Sequence, residues 1–380
     1  MNILLFDMDG VLLEPHGYHR ALQETVRLIG RALGFMDVHL TTRHIAAFEA
    51  AGVTSEWDSA AICAALLLTH AWSVFPDASL PSEPPLPSVP VHALSPPDFV
   101  PFFRQLVDSG LSPLERAEEI LLAGYQGRRR NAWQKDVLRS LLRTARDPYA
   151  SLTHRLFQEL VLGSQAFSET YSLPPSLDCE SYLLKFDRPA LSPLAQEKLR
   201  DWLSADARYA AIFTNRPSRR LPWAVGAPEA EIGARLAGVS YLSLIGLGEL
   251  SWVSARHARD REAFLKPSPV HALAALRCAL GDDLLDALER AAEVERGKAS
   301  RSHWAMFDGA QVLVFEDAVK GLQSVRAAKQ VLARLGVVIS VQYVGIARDP
   351  IKREALIREG AMVYSSLEEA LFSSEMGFWG

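Results

Sequence analysis

An α/β fold, a Rossmann-like doubly wound parallel sheet interrupted by a mostly helical insert, is predicted by three observations on this 380-residue chain. Short apolar runs recur that end abruptly in polar residues, each run leads into a helical pattern, and about 200 residues of mainly helical spacing separate the first run from the second. Strands with polar carboxyl ends alternating with helices imply a parallel sheet covered on both faces. Any ligand of such a sheet lies beyond those carboxyl ends.

Taken in order, Asn2 to Phe6 is the first apolar run and stops at Asp7-Met8-Asp9-Gly10, a buried strand feeding a tight polar loop. Helical spacing then covers Tyr18 to Leu33, Ser55 to Trp72, Pro97 to Val107, Ser112 to Ala123, Asn131 to Thr144 and Ser151 to Leu162. The repeated prolines of 76–101 mark an extended spacer or surface loop within the insert. Arg128-Arg129-Arg130, with Arg139, Arg143 and Arg146, form a basic stretch whose default reading is a solvated face and whose alternative is an anion-attracting rim. Tyr209 to Phe213 ends at Thr214-Asn215, Gln311 to Phe315 at Glu316-Asp317, and Val337 to Ile346 at Ala347-Arg348-Asp349. The chain closes with a helix from Pro350, a short strand Met362 to Tyr364, and a helix capped by Ser366 with Glu369 three residues on. Two domains follow from this order: a sheet domain of 1–14 with 190–380, and a helical domain of 15–189.

Forty basic side chains against 45 acidic ones leave a formal charge of −5, which argues against a general nucleic-acid binder. With 49% hydrophobic and 22% charged residues the chain can build a packed core and is not disordered in the main. Cys63, Cys179 and Cys278 are far apart with no CxxC, so neither a disulfide framework nor a thiolate zinc site is indicated. No run reaches the roughly 20 apolar residues that span a bilayer, and the start lacks the pattern of a secretory signal. A soluble cytoplasmic protein is expected.

Chemistry concentrates at the strand ends. Two carboxylates one residue apart, Asp7 and Asp9, can divide labour: Asp7 attacking an electrophile with its other oxygen on a cation, Asp9 protonating the leaving group and later deprotonating a water. Taken alone the pair reads equally as turn aspartates. Three other segments supply complementary groups for phosphoryl transfer. Thr214 and Asn215 offer a hydroxyl and backbone amides for a phosphoryl oxygen, Lys266 a positive charge, and Glu316 with Asp317 carboxylates for a hard cation. Magnesium between Asp7 and Asp317, with the Lys266 ammonium, would offset the charge that otherwise repels the incoming carboxylate.

On these residues the chain resembles the haloacid dehalogenase-like (HAD) hydrolase superfamily. Phe6-Asp7-Met8-Asp9-Gly10-Val11-Leu12 is similar to its first motif, Ile212-Phe213-Thr214-Asn215 to the second, and Lys266-Pro267 to the third. Phe315-Glu316-Asp317-Ala318-Val319-Lys320-Gly321 is similar to the fourth, in the form of the phosphoglycolate phosphatase and β-phosphoglucomutase-like branch. The resemblance implies a Rossmann-like core in which Asp7 is the nucleophile that forms an aspartyl-phosphate and Asp9 the general acid and base. Thr214 and the Asn215 amide would hold the phosphoryl group and Lys266 would bridge it to Asp7. Magnesium would be bound by the Asp7 carboxylate, the Asp9 backbone carbonyl and Asp317, with Glu316 beside them, and the insert would be an enlarged type 1 cap. The chain departs from the family pattern in the length of that insert and of both later motif intervals, so Lys266 is chosen over Lys298, which lies in the polar run Glu295-Arg296-Gly297-Lys298.

Lesser candidates carry two readings each. Arg216 reaches a substrate phosphate or the cap, or lies on the surface at a helix start. Glu14 and His16 line an entrance or simply form a hinge, and His19 touches substrate or is a half-buried helix histidine. His39, His44 and His154 form no ligand cluster, and Trp57, Trp72, Trp133, Trp202 and Trp223 are core or interface anchors. The function expected is a magnesium-dependent phosphatase acting on a small phosphorylated metabolite. A phosphomutase shares every core residue, and a non-catalytic binding protein using the large insert is the rival of a different class.

Overall fold

A computed structural model describes residues 1–86, 94–107, 110–124, 131–219 and 226–373. The chain divides into two compact units, Met1–Pro15 with Asp187–Gly380, and His16–Phe186. Among the described residues of the first unit eight strands follow one another: β1 (Asn2–Phe6), β2 (Leu13–Glu14), β3 (Arg188–Pro189), β4 (Arg208–Phe213), β5 (Ser243–Ile245), β6 (Gln311–Glu316), β7 (Ser340–Ile346) and β8 (Met362–Tyr364). Six of them make an all-parallel sheet in the order β5-β4-β1-β6-β7-β8. The strand order reverses between β1 and β6, so the crevice beyond the carboxyl ends of these two strands is the natural ligand position.

The sheet is doubly wound because its strands are apolar on both faces. Ile3, Leu5, Ala211, Phe213, Val312 and Val314 belong to one buried cluster, whereas their neighbours Leu4, Phe6, Ala210, Ile212 and Phe315 belong to the other. Period-2 alternation sends successive side chains to opposite faces, and helices cover each. Phe6 and Phe315 sit opposite each other in register and stack at 4.9 Å between ring centroids, directly beneath the acidic strand ends.

β5 is a strand that the sequence reading does not contain. Its three residues lie between polar or glycine-rich neighbours, too short for a periodic signal, and pairing with β4 through Ala211, Ile212 and Phe213 defines it. The last long strand begins at Ser340 rather than Val337. The expected domain boundaries also move, by one residue at the first crossing and three at the second. Residues 187–189 side with the sheet because Arg188 and Pro189 pair antiparallel with Glu14 and Leu13, and Ala190 N donates to Leu12 O at 2.9 Å.

The second unit is helical. Gly17–Ala32, Glu56–Ala71 and Leu152–Leu162 pack on one another, and Glu56–Ala71 is buried almost all round from Asp58 to Leu68, as befits a helix at the centre of its unit. Its Asp58 is buried and receives two hydrogen bonds from Arg146, at 3.0 and 2.9 Å. The expected helix from Pro97 shrinks to Val100–Phe103 with a 3₁₀ turn over Arg104–Leu106. Three helices without an expectation appear, Thr42–Ala50, Ser164–Tyr171 and Tyr182–Phe186. Arg128-Arg129-Arg130, Trp223 and part of the proline-rich stretch lie outside the described residues. Among the described residues no helix is long and apolar enough to cross a membrane.

Truncating one stacked ring tests this architecture. Phe315→Ala is expected to cost about 3–5 kcal/mol in urea unfolding, because it opens a cavity in a fully buried layer and removes the ring that supports Phe6. A cost below about 1 kcal/mol would mean that the layer is not close-packed there.

Candidate active site

Asp7 ends β1, flanked by β4 and β6, and its backbone N–H donates to Phe315 O at 3.0 Å. β1 is paired on both sides up to Phe6, so Asp7 emerges at the strand end, 7% exposed. Lys266 reaches it from the segment before helix Pro269–Ala279. Its Nζ donates to Asp7 Oδ1 at 2.7 Å and to Glu316 Oε1 at 2.6 Å, with the ammonium 3.9 Å from the Phe213 ring centroid. Burial opposes the ammonium's charge, but Asp7 and Glu316 outweigh it and raise the Lys266 pKa above its ordinary value. Lys298, by contrast, is exposed in the turn after helix Leu284–Glu295.

Glu316 and Asp317 close the site from the end of β6. One oxygen from each of Asp7, Glu316 and Asp317 lies within 4.8 Å of the other two. Two glycines permit this closeness. A Cβ on Gly321, in the first turn of helix Val319–Arg334, would overlap the Glu316 carboxylate, and a Cβ on Gly10 (φ +73°) would meet Asp317 Oδ2 at 2.6 Å. Lys352, in the first turn of helix Pro350–Arg358, donates to Asp317 Oδ2 at 2.8 Å.

Three acids so close hold their protons more tightly than usual. Burial, opposed by Lys266 and reinforced by Asp317 and Asp9, pushes Asp7 up to about 6. Burial and then Asp7 drive Glu316 well above the carboxylate range, and burial raises Asp317 against the pull of Lys352. The crowded negative charge is what a cation would relieve. Glu316 Oε2 is buried and has no hydrogen-bond partner among the described residues. Carboxylate oxygens are hard donors suited to magnesium, calcium or manganese, so the residues present fit such an ion.

Asp9 and Arg216 meet in a way that the sequence reading does not foresee. Arg216 is not at the surface: its side chain is buried, and it forks onto two carboxylates of the chain itself. Nε donates to both oxygens of Asp9 at 2.9 Å, and Nη2 donates to Asp9 Oδ1 and, at 2.9 Å, to Asp187 Oδ2. A guanidinium cannot be deprotonated, so a buried one must find counter-charges. Thr214, at the end of β4, is buried and its Oγ1 accepts from Arg216 N at 3.2 Å, which leaves its own hydroxyl proton to give. Asn215 follows, exposed.

Sequence reasoning therefore names Asp7, Asp9, Thr214, Lys266, Glu316 and Asp317, and overlooks Asp187 and Lys352. Lys352 could have been found by asking what stands one turn beyond the carboxyl end of β7, since all parallel strands end on one rim. Asp187 carries no local signal. Among the lesser candidates, Glu14 pairs with Arg348 at 3.3 Å and His19 lies 3.6 Å from Glu49 within the helical unit. Arg143 and Arg139 are paired with Glu118, and Trp57 stacks on His154 at 4.8 Å. The basic stretch is thus largely neutralised where it is described.

Gly321→Ala is expected to force the Glu316 carboxylate off Lys266 and to lower stability by on the order of 3 kcal/mol, read by urea unfolding. A second expectation concerns pH. His271, on the helix after Lys266, is fully buried with Nε2 3.2 Å from Ile245 O, and burial together with Lys266 pushes its pKa down to about 3. The unfolded chain takes up that proton near pH ~6.5, so the stability from a neutral ring is complete above that pH and is lost as pH falls toward 3. Because Ile245 O keeps the Thr214 N–H, His271→Leu should fold. Its stability deficit against wild type should narrow between about pH 7 and 4; a constant deficit would mean that the ring protonates in the folded protein.

No family model matches the chain, and no curated protein does. In fold it is similar to a crystal structure of a Northeast Structural Genomics Consortium target, over the whole length of both chains, with a TM-score of 0.64 and 15% sequence identity.

Proposed function

We propose that the chain is a magnesium-dependent phosphatase of the HAD-like superfamily that hydrolyses a small phosphate monoester through an aspartyl-phosphate. The observation that carries this reading is the convergence of Asp7, Glu316 and Asp317 on one point beside Lys266, beyond the switch point of a parallel sheet. Asp7, Glu316 and Asp317, with the Asp9 carbonyl, would hold magnesium, whose charge would screen the phosphoryl oxygens from the attacking carboxylate.

The chain's own residues do the rest. An Asp7 oxygen attacks phosphorus while the ester P–O bond breaks; its electron pair stays on the leaving oxygen, which takes a proton from Asp9. Asp9 then removes a proton from water as the water oxygen attacks phosphorus, and the P–O bond to Asp7 breaks to release inorganic phosphate. Lys266, fixed between Asp7 and Glu316, supplies positive charge where negative charge accumulates and costs no reorganisation at that moment. The Thr214 hydroxyl and the Asn215 amide donate to phosphoryl oxygens. The substrate is a small phosphorylated metabolite rather than nucleic acid, consistent with the near balance of charges. A cytoplasmic setting agrees with Cys63, Cys179 and Cys278 all being free thiols.

Phosphate release across a panel of phosphorylated metabolites, with magnesium and with excess chelator, tests the reading. Activity is expected with magnesium alone, falling to background in Asp7→Asn and by roughly 10²-fold in Lys266→Ala. Full turnover by Asp7→Asn would remove the nucleophile and with it the mechanism.

A further inference from the structure

The phosphatase reading gives Asp9 a task that demands a defined direction, and an aspartate at the mouth of a loop has no intrinsic one. What holds it is the Arg216 fork. Its Nε bonds both Asp9 oxygens, Nη2 bonds Oδ1 again, and the far side of Nη2 is taken by Asp187 at 2.9 Å. The Arg216 and Asp187 side chains are 1% and 0% exposed, while that of Asp9 is 35% exposed. The fork is rigid at its root too. Arg216 N donates to Thr214 Oγ1 two residues back, and Arg216 O accepts from Leu247 N at 2.9 Å, so the backbone is tied locally and to one neighbouring segment. Gly233 leaves the room: a Cβ there would come 3.2 Å from Nη1 and closer still to Met8 Sδ.

A buried ion triad of this kind is poor evidence for stability, because apolar residues of similar volume commonly do as well. It does confer direction, since a bidentate guanidinium fixes the plane of the carboxylate it binds. Asp187 is the residue at which the chain returns to the sheet unit after Phe186, and Asp9 stands six residues before Pro15, where the chain leaves it. The triad therefore ties both crossings to the strand end that carries Thr214.

We propose that Arg216 and Asp187 are positioning residues that orient the Asp9 carboxyl for proton transfer to the leaving oxygen, Asp187 acting through Arg216. The proposal rests on the phosphatase reading above. The transfer it serves moves one proton from Asp9 to the ester oxygen as the P–O bond breaks, and one back from water in the second step. The second step is common to every ester, so the leaving group is read in kcat/KM, which covers the steps up to cleavage of the ester P–O bond: loss of positioning should lower it for esters whose leaving group needs the proton and spare it for those whose leaving group departs as a stable anion.

The test compares full-length wild type, Asp9→Asn, Arg216→Lys and Asp187→Asn on phenyl phosphate and 4-nitrophenyl phosphate with magnesium, with thermal unfolding recorded for each. Asp187→Asn keeps the size and one acceptor of the original, so it decides the matter should Arg216→Lys fail to fold. Expected is a loss of roughly 10²-fold in kcat/KM on phenyl phosphate and only several-fold on 4-nitrophenyl phosphate, in parallel with Asp9→Asn. Folded variants whose kcat/KM falls equally on both esters, or on neither, overturn the positioning role. If Asp9→Asn alone shows the leaving-group dependence, the phosphatase reading stands and the proposal falls; if wild type releases phosphate from no ester, both fall together.

Discussion

The Lys266 ammonium, bonded at once to Asp7 and Glu316, is the constraint around which this site is built. Two carboxylates with 7% and 0% exposure could not stay charged side by side in an interior without a cation between them. Lys266 satisfies one oxygen of each, Lys352 bonds one oxygen of Asp317, and the buried Glu316 Oε2 has no hydrogen-bond partner among the described residues. Three acids against two ammonium groups, rather than any single residue, set the electrostatics of the crevice, beside a carboxyl at the end of a strand paired on both sides. Breaking one arm of such a cluster strands a buried charge, which makes its members mutually dependent.

The sheet is what makes the cluster possible. Lys266 and Asp7 are 259 positions apart, and Asp9 and Arg216 are 207 apart, yet each pair is in hydrogen-bond contact. Parallel strands bring all their carboxyl ends to one rim, and the reversal of strand order between β1 and β6 opens a crevice there. Packing at this rim is tight enough that Gly10 and Gly321 serve as spaces for Asp317 and Glu316. Beneath it, the stacked Phe6 and Phe315 rings form a dry floor that keeps the acids out of bulk water. Burial is thus the source both of the raised carboxyl pKa values and of the strength of the ammonium contacts.

Two arginine-centred arrangements show the same rule in each unit. In the helical unit Arg146 neutralises Asp58, which is buried on an otherwise apolar helix. In the sheet unit Arg216 neutralises Asp9 and Asp187. Arg146 is exposed in the fold, whereas Arg216 looks like a surface residue only in the sequence, because a charge among polar neighbours gives no hint that an acid from a distant segment will cover it. Lys352 and Asp317 repeat the lesson at the rim.

Local sequence carries the period-2 and period-3.6 patterns, so the long strands and most helices, the parallel arrangement and the presence of an insert can be read without coordinates. It also shows which strand ends bear acids, a hydroxyl or a lysine, since a polar residue ending an apolar run is a local feature. What it cannot contain is pairing. β5 exists because β4 offers it an edge, residues 187–189 belong to the sheet unit because β2 pairs with β3, and the Asp9–Arg216–Asp187 triad exists because three loops end at one place. Contacts between residues hundreds of positions apart depend on chain closure and close packing, which only the folded protein decides.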